Sequence, residues 1–126
     1  MEQKFKDLSS HFIATIARDS GVELSLDRTS VAWTEEFIER LRPVIDETLM
    51  DGLSSSIGAY LGECIRASYG GEWRQSEDGA WGVYFDDLNA AYPFAKVQKQ
   101  LRNGIEDSIL SFYEVIPIVF LKSNDA

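Results

Sequence analysis

Phe5, Leu8, Phe12 and Ile16 recur at three- and four-residue steps and predict a helix from about Gln3 to Asp19, ended by Ser20-Gly21. From Val22 to Asp27 the period changes to strict alternation of apolar and polar residues, which predicts extended chain. Helical spacing returns with Trp33, Phe37 and Leu41. It predicts a second helix capped by Ser30 or Thr34 and ending near Arg42, with Glu35 and Glu36 at its positive N-terminal end.

Pro43 can serve as the first residue of a third helix reaching Ser68, although Gly52 could break it early. Leu49, Leu53, Ile57, Leu61, Cys64 and Ile65 form its apolar stripe, and Gly58 and Gly62 lie one above the other on another side. A glycine inside a helix costs about 1 kcal/mol against alanine, so this pair implies a helix or strand packed there at close range. Tyr69-Gly70-Gly71 stops the helix. A meander follows: a strand Glu72–Gln75, a turn Ser76–Gly79, a return strand Ala80–Phe85, a second turn at Asp86-Asp87 and a short third strand between Leu88 and Tyr92. Pro93 opens a fourth helix with Phe94, Val97 and Leu101 inward and Lys96, Lys99 and Arg102 outward, closed by Asn103-Gly104. A last helix from Ile105 or Glu106 buries Ile109, Phe112, Tyr113 and Ile116 and is ended or kinked by Pro117. The pattern predicts an α+β fold, about five helices around a central buried helix with a small antiparallel β-meander. It forms a single domain over residues 1–126, with a core from about 3 to 121 and a loose tail from Lys122 to Ala126.

Composition narrows the class. With 126 residues and 44% hydrophobic content the chain has material for a core without disulfides or metals. The single cysteine, Cys64, cannot form an internal disulfide. The start, MEQKFKDLSS, is charged where a signal peptide needs an apolar run. The apolar stretch Ile116–Leu121 is far shorter than the ~20 residues that span a bilayer. A soluble cytoplasmic protein without a membrane partner is expected. The net charge of −9 is concentrated in the first three quarters of the chain, with nine acids against three bases over residues 19–51 and six against two over 52–92. Such a surface repels phosphate backbones, which argues against nucleic acid, and attracts a basic protein, although acidity also serves solubility alone.

Catalytic patterns are sparse. His11 is the only histidine and falls on the flank of the first helix, while Cys64 falls on the apolar stripe of the third, so a nucleophile–base pair has no support. Two such residues are too few for a zinc site, and the acidic turns lack the calcium-loop pattern. Gly70-Gly71 is followed by Glu72 rather than a phosphate-binding lysine. No catalytic residue, cofactor or metal is therefore expected. Glu63, at the edge of the apolar stripe, is the best carboxylate for acid–base work if burial raises its pKa. The structural alternative is an ion pair with Arg66 at i+3 or a hydrogen bond to the meander. Trp73, Trp81, Tyr84, Phe85 and Tyr92 cluster in the meander. Both tryptophans can be core, or one exposed beside Glu77, Asp78, Asp86 and Asp87 can act as an aromatic anchor for a partner.

From Gly58 to Trp73 the chain reads GAYLGECIRASYGGEW, followed by Tyr92-Pro93-Phe94, Lys96-Val97, Asn103-Gly104 and Asp107-Ser108. Over roughly residues 22–116 this order resembles small bacterial domains of uncharacterised function with a Gly-x-x-x-Gly-Glu helix, a Gly-Gly-x-Trp strand and a Pro-led helix. In size, charge and style the chain is similar to the immunity proteins encoded beside polymorphic toxins. The resemblance implies a non-catalytic protein-binding module that occludes a cognate toxin with a basic surface, plugging it with the acidic turns. Its partner-binding candidates are Glu63, Trp73, Glu77, Asp78, Trp81, Asp86 and Asp87. Two other readings stand beside it. One is a small enzyme using Glu63 between helix and sheet. The other is a regulatory homodimer joined by an apolar patch on the last helix. The oligomeric state is left open.

Overall fold

Side-chain caps and glycines set most element boundaries in the computed structural model, which describes residues 1–121. The helices are α1 (Glu2–Ser20), α2 (Arg28–Leu41), α3 (Glu47–Tyr69), α4 (Pro93–Asn103) and α5 (Ile109–Val119). Between α3 and α4 lie β1 (Glu72–Gln75), β2 (Trp81–Tyr84) and β3 (Ala90–Ala91), an antiparallel sheet in the order β1-β2-β3. The fold is α+β, as the periodicities predict. The expected tail, Lys122–Ala126, lies outside the described residues.

Several boundaries differ from expectation, each for a local reason. Asp27, not Ser30 or Thr34, caps α2 by accepting from the Ser30 N–H. Ser30 Oγ instead accepts from the Ser25 N–H at 2.8 Å, and Thr34 donates back to the Ser30 carbonyl. Glu35 consequently sits well inside α2 and is buried. Pro43 stays in a turn, and α3 starts only at Glu47, where Asp46 accepts from the Leu49 N–H. Leu49 is therefore exposed and Met50 faces the core, while Gly52 stays within the helix. The stretch from Val22 to Asp27 joins no strand. Side chains hold both backbone groups of Ser25, its N–H through Ser30 and its carbonyl through Tyr60 Oη, which donates at 2.6 Å. Before α5 the chain makes a single 3-10 turn (Ile105–Asp107), and Ser108 caps α5 through the Ser111 N–H. Pro117 does not end α5, which continues to Val119.

α3 is the axis of the molecule. It packs chiefly on α1 and α4, and every residue from Ile57 to Gly62 is buried. The two glycines are there for close approach. A Cβ at Gly58 would collide with the Phe94 ring, and one at Gly62 with the Trp73 indole. Phe5 of α1 closes over the same place, its ring centroid 4.5 Å from Trp73, 5.1 Å from Phe94 and 5.6 Å from Trp81.

A second, polar tie joins α2, α4 and α5. The fully buried Gln100 donates to Glu39 at 3.0 Å and accepts from the Ile109 N–H at 2.7 Å. The Glu35 carboxylate accepts from Ser108 Oγ. Buried polar groups cost folding energy unless paired, so these pairings fix how the three helices meet.

The glycine positions give a contrast in sign. Gly62→Ala should lower stability by about 1–3 kcal/mol through overpacking against Trp73. Gly52→Ala points into open space on the same helix. It should raise stability by about 0.5–1 kcal/mol. Urea unfolding of both variants checks the pair.

Candidate partner-binding face

The hairpin register decides which meander residues can meet a partner. Trp73 pairs with Val83 and Gln75 with Trp81, so these four share the face turned toward α3. Glu72, Arg74, Gly82 and Tyr84 share the other face. Gly82 is small because the Tyr92 ring lies over it, with 2.8 Å between that ring and the place a Cβ would take. The Tyr84 and Tyr92 hydroxyls share a 2.8 Å hydrogen bond.

Glu63 and Trp73 are not a contact surface. Trp73 is 8% exposed, and its indole N–H donates to Glu63 Oε2 at 2.9 Å. Arg66 donates to the same oxygen at 3.0 Å, to Glu2 at 2.7 Å and to the Gly71 carbonyl at 3.2 Å. The ion pair with Arg66 and the bond to the meander, weighed from sequence as structural alternatives, therefore coexist. They clamp α1, α3 and β1 together, which withdraws both residues from the expected partner-facing set.

The remaining candidates divide between opposite ends of the hairpin. At the tip, the backbone hydrogen bonds Ser76 N–H to Ala80 and Gly79 N–H to Ser76 close the turn, with Gly79 at φ 93°. Asp78 accepts from Ser76 Oγ and the Ala80 N–H, and these bonds hold its carboxyl below the usual aspartate range. At the far end Asp86 accepts from the Asn89 side chain and the Leu88 N–H, and its carboxyl is likewise held low. Asp87 pairs with Arg74 at 2.9 Å, which offsets its charge. The Asp86-Asp87 turn is thus a braced loop apart from Trp81, not part of one acidic face with Glu77 and Asp78.

The tip acids stand beside a hollow built around Trp81. Asp51, Ser54 and Ser55 of α3, Ala80 and Trp81 of the hairpin, and Tyr92, Phe94, Ala95 and Gln98 at α4 line a groove of about 480 Å³. Adjoining hollows continue it to Ser76, Glu77 and Asp78 on one side and to Lys4, Phe5 and Leu8 of α1 on the other. Trp81 is half-buried, its ring packed nearly perpendicular to that of Phe5. Among the described residues, neither Asp51 nor Glu77 has an ion-pair partner. Ser54 is buried, and its Oγ has no hydrogen-bond partner among the described residues.

Asp51, Ser54, Phe94 and Gln98 were not among the sequence candidates. The available signal was Ser54-Ser55-Ser56, three successive hydroxyls in the central helix between the apolar Leu53 and Ile57. Comparison with protein-family models, curated proteins and solved structures finds no match.

Other chemical groups lie elsewhere. Burial pushes the Cys64 thiol up to about 12, so the thiolate needed for nucleophilic attack is disfavoured. His11 is exposed on α1, beside Phe12, Phe37 and Leu53. Among the described residues no group of three or more His, Cys, Asp and Glu is placed to hold a metal ion. No helix among them is long and apolar enough to cross a membrane.

Glu63 gives the clamp a direct check. Glu63→Gln keeps an acceptor for the Trp73 N–H, whereas Glu63→Leu leaves that donor buried and unpaired. The leucine variant should lose about 1–3 kcal/mol more than the glutamine variant in urea unfolding. Equal losses would show that the Trp73 bond contributes nothing.

Proposed function

We propose that this chain is a non-catalytic protein-binding module, an immunity protein that captures a toxin domain with a basic surface and covers its working site. The observation that carries the reading is the setting of Trp81 in a groove flanked by Asp51, Glu77 and Asp78, none of whose carboxylates has an ion-pair partner among the described residues. An aromatic anchor with unpaired acids beside it suits a basic protein. The net charge of −9 speeds that encounter and disfavours nucleic acid. A catalytic role for Glu63 has less support, because its carboxylate already accepts from Arg66 and Trp73 and it lines none of the hollows around Trp81.

The test is co-expression with the toxin-like product of the neighbouring gene. A complex and protection of the host are expected. Glu77→Lys with Asp78→Lys should slow association at least tenfold at low salt, and Asp87→Asn should change it little, both read by surface-binding kinetics. No complex and no protection overturn the reading.

A homodimer is favoured by a separate observation. Val115, Ile118 and Val119 of α5 share one helical stripe and are 38%, 63% and 58% exposed. Light scattering should then give a dimer that Ile118→Glu converts to a monomer, and a wild-type monomer at all concentrations removes this reading.

A further inference from the structure

We infer that the Trp81 groove is a receptor for a single arginine side chain of the partner, a site that rests on the proposed capture of a basic protein and names its chemistry. The groove has the parts a guanidinium needs. Trp81, Tyr92 and Phe94 supply aromatic wall, on which a guanidinium stacks as a weakly hydrated plane. Asp51 supplies a carboxylate with no ion-pair partner among the described residues, suited to accepting two N–H bonds at once. Gln98 adds an amide oxygen.

Ser54 lies beside this hollow on α3 with an unmet hydrogen-bonding need. It is only 8% exposed, it lines the groove, and its Oγ is sealed from solvent with no hydrogen-bond partner among the described residues. The neighbouring Ser55 hydroxyl, by contrast, donates to the Asp51 carbonyl at 3.1 Å. A buried hydroxyl left unpaired weakens the free protein, and such groups call for an explanation. A guanidinium has five donors and no acceptor, so it can meet this hydroxyl only when the Ser54 side chain turns toward the groove on binding.

Charge placement selects the side of Trp81. Lys4 lines the hollow on the α1 side, whereas Glu77 and Asp78 line the one toward the hairpin tip. A cation therefore seats on the Asp51 side. Lysine fits less well, because its ammonium is a strongly hydrated point charge that cannot fork onto a carboxylate while stacking on a ring.

The experiment is an NMR titration of the full chain with a blocked Gly-Arg-Gly peptide, alongside the same peptide carrying citrulline or lysine. The amide signals of Ser54 and Ser55 and the Trp81 indole N–H should shift saturably with the arginine peptide. Binding should be at least tenfold weaker with citrulline and at least threefold weaker with lysine. Asp51→Asn should weaken it at least fivefold. Ser54→Ala should weaken it while leaving the melting midpoint equal or higher, which separates ligand binding from a purely structural role. Absent shifts, or equal shifts with citrulline, overturn the arginine site and leave the proposed capture of a toxin standing. Groove shifts with no capture of the neighbouring toxin support the site and overturn that reading instead.

Discussion

The close fit of two aromatic rings against two glycines of α3 is the constraint on which the molecule depends. Trp73 and Phe94 come from opposite sides of the meander, yet both reach the same face of α3 because Gly62 and Gly58 offer no Cβ there. The seat brings β1 and α4 against one helix and leaves Phe5 of α1 to close over the rings. Glu63 then aligns the indole through its N–H, and Arg66 reaches from Glu63 to Glu2 and Gly71. Apolar fit supplies the burial, and the charged clamp selects one orientation within it.

The groove around Trp81 follows from this seat. With Trp73 inside, period-two alternation places Trp81 on the same inner face but nearer the hairpin tip, where α3 has turned polar at Ser54 and Ser55. The tip carries Glu77 and Asp78 to the rim. The hollow is therefore the place where a well-packed aromatic layer runs out, and polar side chains from two helices line the gap.

Local chemistry made much of this legible from residue order. The glycine pair foretold a close neighbour, the Asp-Gly turn foretold the hairpin, and apolar spacing placed the helices. Errors arose where several capping residues competed. Asp27, Ser30 and Thr34 all suit a helix start, and only the position of the Ser25 backbone shows why Ser30 is used elsewhere. Pro43 suits a first turn as well as a preceding one, and the Asp46 cap decided between them. The pairings of Gln100 with Glu39 and of Glu35 with Ser108 join residues far apart in the chain, beyond the reach of any periodicity. The site divides the same way. Acidic turns and clustered aromatics stood out, but only tertiary packing drew Glu63 and Trp73 inward, separated Asp86 and Asp87 from Trp81, and added Asp51 and Ser54.

The fate of Cys64 has a practical side. A lone thiol walled into the middle of α3 is shielded from alkylating reagents as long as the protein stays folded. A cysteine introduced at the outward-pointing Leu88 would be the preferred target for a fluorophore or spin probe. The native residue can stay in place, so the environment and motion of the β2–β3 turn become measurable without disturbing the interior.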